Sequence, residues 1–479
     1  MLALAGTLGL QPLSSASARP LPPDGDLPLP VPPSSRQPQP SVSYDIPLRS
    51  PEEAIKACLV RRSWEERRGI PQPSPLDLLL GNGSLADSRL GLANWPILDE
   101  AEDLHLGHFT FPISPYTTMA DDGKQRFLLL SNTNIIANFR QRDYLEQIHR
   151  RMFDRAVWAM AAGRVGTATI EFDRGLTDVK AGHILRLLAQ YGVKTIVWGN
   201  EPNSPYAPWR DNLPELLEIL FAAAQAKRQY GLTDIDLSLP GLAYYGQGEY
   251  LQKMLRALKE AQKRGSRAWP WQSLPIERVA DHYYGPVEEF LPRIKKMRDI
   301  MAQEGVGSLK YDLTEAGNPT IDPDQQKASD NQLAECHIPQ LSSMAVASGL
   351  VDRFYYYSLL GSNYEDSLTL IDGGRLAKRS SYSAFLTMAK LLARLDKVSL
   401  AEEKDLVRVE GSRTDGVDFT VVWSKLPDRD LVVALPKGKR VFDAFGQEVK
   451  GDKPDQVVLK PKQHPSLAGP ARIILSGRS

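Results

Sequence analysis

Between about residues 104 and 395, short apolar runs alternate with segments of helical periodicity. The runs are rich in β-branched and aromatic residues, which is typical of strands that helices cover on both faces. The alternation predicts eight parallel strands and therefore a (β/α)8 TIM barrel. The predicted strands are residues 104–111, 126–131, 167–172, 195–199, 236–242, 279–284, 309–314 and 353–358.

The pattern changes after residue 395. Short segments such as GVDFTVVWSK and PARIILSG alternate apolar with polar residues and are separated by turn residues. This pattern predicts an antiparallel β-sandwich over residues 396–479. The predicted fold class is thus α/β, with a barrel over residues 104–395 and a C-terminal β-sandwich domain.

The first 103 residues differ in composition from the predicted barrel. Residues 1–18 resemble the apolar segment and small-residue cleavage site of a secretory signal, although the basic start of such a signal is missing. Residues 19–50 are dense in Pro and Ser and predict an extended linker. Residues 51–103 predict a helical and loop extension. The signal-like segment predicts a secreted or periplasmic protein.

Charge and cysteine content narrow the choice of partners. Lys+Arg and Asp+Glu both total 58 in the 479 residues, so the zero net charge gives no indication of nucleic-acid binding. The seven histidines have no tight ligand spacing, and no metal or other cofactor is predicted. Pairing of Cys58 with Cys336 stays open, as does the oligomeric state. After the N-terminal segment, no run of eighteen apolar residues predicts a transmembrane span.

Two glutamates follow predicted strands at the same end of the predicted barrel. The fourth strand runs into VWGNEP, which contains Glu201, and the seventh runs into DLTEAG, which contains Glu315. Functional groups of such barrels collect at the C-terminal ends of the strands. Cleavage of a glycosidic bond needs one carboxyl group to protonate the leaving oxygen and another to attack the anomeric carbon or activate water. The sequence therefore predicts a glycosidase site.

These two motifs carry a family resemblance. WGNEP at residues 198–202 resembles the fourth-strand motif of clan A glycoside hydrolases, and TEAG at residues 314–317 resembles their seventh-strand motif. The likeness is greatest to family thirty-nine, and the run GNEPNS is also similar to the heparanase-like family seventy-nine. The resemblance implies a retaining hydrolase of a β-linked glycan or exopolysaccharide, with Glu201 as acid/base and Glu315 as nucleophile.

The resemblance also implies roles for polar residues around the two glutamates. Asn200 would bind the sugar hydroxyl beside the anomeric carbon, a contact that strengthens in the transition state. The sixth strand ends in DHYYG, where His282 and Tyr284 share a face. Both are predicted to line the site, with Tyr284 the favoured partner of Glu315. Backbone capping by Asn200 and a structural role for His282 remain alternatives.

Aromatic residues are candidates for holding the sugar ring. Tyr355, Tyr356 and Tyr357 follow one another in the eighth strand, and Tyr356 is predicted to form part of the subsite floor. The clan commonly has a Trp there, so this sequence departs from its pattern. Trp209, in the loop after the fourth strand, is predicted to form a wall, because the C–H faces of sugars pack well on flat rings. Plain packing is the alternative for each ring.

Three other functions use the same barrel. A transglycosidase would have the same two glutamates, whereas a non-catalytic glycan-binding barrel would be expected to lack one of them. A scaffold protein of a polysaccharide assembly system is the third alternative. The partner predicted in every case is an oligosaccharide or polysaccharide. The sugar, its linkage, and exo or endo action are not predicted.

Overall fold

The computed structural model of the chain describes part of its length. The described residues are 74–80, 85, 88–93, 106–119, 125–130, 160, 164–170, 178–190, 192–204, 213–244, 246–264, 274–317, 329–357, 369–372, 377–450, 453, 455–462, 464 and 467–476. The signal-like segment, the Pro-rich linker, Cys58 and Trp209 lie outside these residues, so the predictions that concern them stay predictions.

Eight parallel strands close into a barrel. The strands of this part of the chain are β1 Leu90–Leu92, β2 His108–Met119, β3 Gln125–Leu130, β4 Val165–Ile170, β5 Thr195–Trp198, β6 Asp236–Ser238, β7 Arg278–Tyr283, β8 Lys310–Ala316 and β9 Arg353–Tyr356. Strand β1 pairs with both β9 and β2, which closes the ring, and β3 is the one strand among these that lies outside it. The predicted TIM barrel is confirmed.

The first two barrel strands differ from the prediction. The barrel begins at β1, whose three residues are too short a run for periodicity to reveal. The predicted first strand is β2, the second of the barrel. The predicted second strand is β3, which pairs antiparallel with residues 114–119 of β2. These two errors cancel, so β5 is still the fourth barrel strand and β8 the seventh.

Helices cover the outer face of the barrel. They are α1 Pro75–Leu80, α2 Asp178–Gln190, α3 Leu213–Gln229, α4 Gln247–Arg264, α5 Val287–Gln303, α6 Asp330–Gln332, α7 Ile338–Ala347 and α8 Ser380–Leu391. A π-helical turn, Leu333–His337, joins α6 to α7. Helix α5 shows why they pack: Phe290, Ile294, Met297 and Met301 recur every three or four residues and are buried. Among the described residues, no helix is long and apolar enough to cross a membrane.

Buried ion pairs fill the end of the barrel opposite the strand C-termini. The Arg278 guanidinium lies 2.7 Å from Asp236 Oδ2 and 2.9 Å from Asp312 Oδ1. Since Arg278 and Asp312 are almost fully buried, each needs the other to offset its loss of hydration. These contacts tie β6, β7 and β8 together below the site.

The C-terminal residues form antiparallel sheets, as predicted. Strands β12 Leu395–Glu402, β13 Leu406–Arg413, β14 Asp418–Ser424, β18 Arg472–Ser476 and β16 Lys439–Phe442 form one sheet in that order. A second sheet pairs β15 Leu431–Ala434 with β17 Gln456–Leu459. Outside this domain, a small hairpin before α8 pairs β10 Ile371–Asp372 with β11 Ala377–Lys378. The domain packs on α7, where Gln340 Nε2 donates to Gly469 O at 2.6 Å.

Candidate active site

The backbone after β5 turns sharply to present Glu201. Gly199 has φ 108° and Glu201 has φ 47°, both in the left-handed region. For a residue other than glycine this conformation costs about 1–3 kcal/mol and persists only where its surroundings fix it. Glu201 N–H donates to Gly241 O at 2.7 Å, and Ser204 N–H donates to Glu201 O at 2.9 Å. The chain therefore holds Glu201 in a strained position at the barrel rim.

Glu201, His282 and Glu315 converge at this rim. His282 Nδ1 lies 2.9 Å from Glu201 Oε1 and 3.5 Å from Glu315 Oε2. The imidazole nitrogen and one oxygen from each carboxylate all lie within 4.8 Å of one another. The His282 side chain is only 1% exposed, whereas those of Glu201 and Glu315 are 33% and 14% exposed. A buried base thus lies between two carboxylates that solvent or a ligand can reach.

A bulge in β8 turns Glu315 towards this site. Asp281 of β7 pairs with Leu313, but the next residue, His282, pairs with Glu315. A regular strand would pair Glu315 with Tyr283, whose ring packs outwards on Phe290 of α5. The extra residue in β8 instead puts Glu315 on the same face as His282, inside the barrel mouth.

The Tyr284 hydroxyl completes the arrangement around Glu315. It donates to Glu315 Oε2 at 2.6 Å. Burial and the neighbouring charge of Glu315 raise the pKa of Tyr284 well above its ordinary value, so the phenol keeps its proton. A charge-assisted hydrogen bond of this length stabilises an ionised Glu315.

No family model matches the sequence, and neither does any curated protein. Solved structures do match. A family 39 glycoside hydrolase from Bacteroides cellulosilyticus is 14% identical over 82% of each chain, with a TM-score of 0.53. A glucosidase from Croceicoccus marinus is 13% identical over 82% of this chain and 96% of its own, with a TM-score of 0.54. The chain has the fold of these glycoside hydrolases. At such identities the likeness concerns the fold alone.

On this glycoside hydrolase fold, the structure brings together four of the predicted site residues: Glu201, His282, Tyr284 and Glu315. Asn200 lies beside them, exposed, and its backbone bridges to Gly241. Its exposure leaves the side chain accessible to a ligand. The role predicted for each residue stays a prediction.

The placement predicted for Tyr356 is wrong. Its ring is 1% exposed and packs on Phe385 of α8, with 5.4 Å between the ring centroids. Side chains alternate along a strand, so Tyr356 points outwards while its neighbours point inwards. Tyr355 is buried inside the barrel, with its hydroxyl 3.0 Å from Thr167 Oγ1. Tyr357 is the residue at the mouth, and its ring packs perpendicular to that of Tyr284 at 5.9 Å.

Sequence reasoning also missed residues that support the site. Asp281 is buried behind it, where Oδ1 accepts the His282 backbone N–H at 3.0 Å and Oδ2 accepts the Tyr311 hydroxyl. Burial raises the pKa of Asp281 to about 6. The Asn203 side chain bonds to the backbone of Ala243 on the neighbouring loop. The only sequence signal for either is a polar residue next to a motif residue.

The site electrostatics centre on His282. Burial lowers its pKa, but the charge of Glu315, the hydrogen bond and charge of Glu201, and the charge of Asp281 raise the pKa to about 9. Burial would raise the pKa of Glu201, but its hydrogen bond with His282 and the imidazolium charge outweigh that and lower it. Both shifts favour the shared proton on His282 rather than on Glu201.

The same three groups form a donor set that could hold a divalent ion. In a tetrahedral zinc site with bonds of about 2.0–2.2 Å, ligand atoms lie roughly 3.3 Å apart. The two His282–carboxylate distances, 2.9 and 3.5 Å, fall on either side of that value. Metal binding by Glu201, His282 and Glu315 is therefore a geometric option that the histidine spacing in the sequence did not reveal.

Replacing His282 with Gln should change the pH dependence of stability. The His282 pKa is about 9 in the folded chain and 6.5 as its ordinary value. Because the pKa is raised in the folded state, protonation of His282 stabilises the folded protein. This contribution is complete at pH values below the unfolded-state pKa and is lost as pH rises through about 9. Between these limits, the wild type should lose up to about 3 kcal/mol of unfolding free energy relative to the variant. Urea denaturation at several pH values measures this, and parallel curves would contradict it.

Proposed function

We propose that the chain is a retaining glycoside hydrolase, with Glu201 as acid/base and Glu315 as nucleophile. The observation that carries this proposal is the approach of the two carboxylates, which have oxygens within 4.8 Å at the barrel rim. Retaining enzymes hold their two carboxyl groups about 5–5.5 Å apart, whereas inverting enzymes need about 6.5–9.5 Å to admit a water molecule. The short approach supports double displacement over direct attack by water.

The position of the shared proton fits this proposal. The site has the same net charge whether the proton lies on His282 or on Glu201, since Glu315 stays ionised in both cases. The two groups titrate as one coupled unit, and their 2.9 Å contact allows transfer. A sugar that fills the rim excludes water, which disfavours the charged pair and favours neutral His282 beside protonated Glu201. Substrate binding thus prepares Glu201 to act as an acid.

The reaction then proceeds in two displacements. Glu315 attacks the anomeric carbon, Glu201 gives its proton to the leaving oxygen, and the glycosidic bond breaks as the ester bond to Glu315 forms. Water then attacks the same carbon while Glu201 takes its proton, and Glu315 leaves as a carboxylate. Each displacement inverts the carbon, so the product keeps the original configuration.

The substrate we propose is a β-linked glycan, as the resemblance of the WGNEP and TEAG motifs to clan A hydrolases implies; a glycan substrate is in keeping with the glycoside hydrolases that share the fold. Tyr357, rather than Tyr356, offers its ring to the sugar, since it lies beside Tyr284 at the mouth. Asn200 is exposed next to Glu201 and is placed to bind a hydroxyl group. Secretion through the signal-like segment remains part of the proposal.

Mass spectrometry after incubation with a panel of 2-deoxy-2-fluoro glycosyl fluorides tests the proposal. The fluorine slows hydrolysis of the ester, so a covalent adduct should accumulate, and peptide mapping should place it on Glu315. Glu315→Gln should form no adduct. Glu289→Gln is the matched control, since Glu289 lies in the first turn of α5, after β7, and its carboxylate accepts a hydrogen bond from Tyr244. An adduct on another residue, or none with any sugar of the panel, would overturn the proposal.

Tyr284→Phe should slow the second displacement, in which Glu315 leaves the sugar and regains the charge that this hydrogen bond stabilises. The change removes the donor that lies 2.6 Å from Glu315 Oε2 while keeping the ring. Hydrogen bonds to charged groups contribute about 1.5–3 kcal/mol, so kcat for activated substrates, which is limited by hydrolysis of the glycosyl-enzyme, should fall by up to about 10- to 150-fold. Kinetics with aryl glycosides of the reactive sugar measure this, with thermal unfolding as the check on folding. Unchanged kinetics would show that the bond plays no part in turnover.

Metal-assisted hydrolysis is the second candidate function, because Glu201, His282 and Glu315 offer a suitable donor set. A bound divalent ion would activate water, and no glycosyl-enzyme would form. Dialysis against a chelator separates the two candidates. Turnover that is lost on chelation and returns with Zn²⁺ would favour the metal enzyme, whereas unchanged turnover would favour the retaining glycosidase.

A further inference from the structure

We propose that Asn203 is a positioning residue that holds Glu201 in its left-handed conformation and thereby sets its contact with His282. This inference rests on the proposed acid/base role of Glu201. Asn203 lies two residues after Glu201, yet its side chain contacts the loop that follows β6. It acts through the backbone and has no direct part in proton transfer.

Asn203 bonds to Ala243 in both directions. Its Nδ2 donates to Ala243 O at 2.9 Å, and its Oδ1 accepts the Ala243 N–H at 2.8 Å. This is the pattern that one backbone residue makes with another in an antiparallel sheet. An Asn in a turn commonly bonds to its own backbone two residues on, but this one reaches a residue 40 positions away. The contact therefore joins two loops instead of shaping one.

The two loops that Asn203 joins are also connected by backbone hydrogen bonds that hold Glu201 in its strained conformation. Glu201 N–H donates to Gly241 O, and Gly241 N–H donates to Gly199 O at 3.3 Å. Ala243 lies two residues beyond Gly241, so the Asn203 contact keeps this short ladder closed. Without it, the backbone at Glu201 can relax from φ 47° towards the favoured negative region. The carboxylate would then swing away from its present position.

Gly241 links the same loop to His282. A Cβ atom built on Gly241 would overlap His282 Nε2 and come within 3.1 Å of another ring atom. The loop thus fixes Glu201 through its carbonyl and packs against the imidazole through its Cα. Because one segment contacts both partners, holding that segment sets the distance between them.

Kinetics of Asn203→Ala test this proposal. Aryl glycosides with poor leaving groups need the acid, so kcat/KM for these should fall about 100-fold, while dinitrophenyl glycosides should lose little in bond cleavage. Asn203→Asp keeps the acceptor but loses the donor, and should fall between Ala and wild type. The matched control is Gln340→Ala, which also loses a hydrogen bond between a side-chain amide and the backbone, but at the contact of α7 with the C-terminal domain. Any loss of kcat/KM in this control, relative to wild type, should be the same for good and poor leaving groups. An equal loss for both substrate classes in Asn203→Ala would overturn the proposal.

A measurement without substrate separates this inference from the proposed function. In ¹⁵N-histidine-labelled protein, NMR titration should show the His282 pKa falling from about 9 towards its ordinary value in Asn203→Ala, as in Glu201→Gln. The groups that face the ring and stay charged are Glu315 and Asp281, so a partial fall is expected. An unchanged His282 pKa in a folded Asn203→Ala protein would overturn the inference. A fall in pKa without detectable turnover in wild type would uphold the positioning role while rejecting the proposed function.

Discussion

Glu315→Ala should lose turnover almost entirely, by roughly 100,000-fold, because the variant lacks the carboxylate that is proposed to attack the anomeric carbon. Added azide or formate should restore part of the activity on activated substrates. The small anion would occupy the space left by the carboxylate and attack from the same side. The product would then have inverted configuration, since only one displacement takes place. Initial rates and NMR of the product measure both effects.

The control for this experiment is Glu289→Gln, which alters a carboxylate in the first turn of α5, after β7, and leaves the three convergent groups unchanged. It should keep wild-type activity and show no response to azide. Substantial activity in Glu315→Ala would make the nucleophile assignment wrong. Restored activity with retained configuration would instead point to attack from the opposite face.

The glutamate pair was predictable because each residue lies at or just beyond the C-terminal end of an apolar strand. Strand β5 is four buried residues, and β8 is buried over most of its length. Such apolar runs are the features from which strands are best predicted in a sequence. The resemblance to clan A hydrolases rested on the same segments, and the fold comparison agrees with it. The third to eighth barrel strands were found for this reason.

Other features of the barrel and the site could not be predicted from the sequence. Strand β1 is only Leu-Gly-Leu, and it is identifiable only because β9 and β2 flank it. Three consecutive tyrosines do not show which side chains point into the barrel, so the choice of Tyr356 over Tyr357 could not be settled without the strand register. The bulge that turns Glu315 inwards depends on pairing between β7 and β8. Each of these depends on contacts between segments distant along the chain.

The environment of the proton shared by Glu201 and His282 could not be predicted from sequence. The acid/base role that the resemblance implies for Glu201 requires its carboxyl group to be protonated before the glycosidic bond breaks. In the structure, His282 lies between the two carboxylates and lowers the pKa of Glu201. In the proposed mechanism, the acid would form by proton transfer within this hydrogen-bonded pair when substrate fills the site. Catalysis would then depend on the exclusion of water and on the loop geometry that holds Glu201.

Glu201→Ala should separate the two displacements. Substrates with poor leaving groups should lose about 100- to 10,000-fold in kcat/KM, because the departing oxygen is no longer protonated. Dinitrophenyl glycosides need no acid and should still form the glycosyl-enzyme. Its hydrolysis should be slow, because no base activates water, so a burst of dinitrophenol should precede a low steady rate. Stopped-flow absorbance measures the burst, and mass spectrometry detects the accumulated ester on Glu315.

Azide gives this variant a signature opposite to that of Glu315→Ala. The anion needs no base, so it should release the glycosyl-enzyme and yield a glycosyl azide of retained configuration after two displacements. His282→Gln is the informative comparison, because it removes the imidazole that shares a proton with Glu201 at 2.9 Å but leaves both carboxylates. That variant should shift the pH profile of kcat without producing a burst. If Glu201→Ala lost activity equally for good and poor leaving groups, Glu201 would not be the acid, and the shared proton on His282 would serve stability alone.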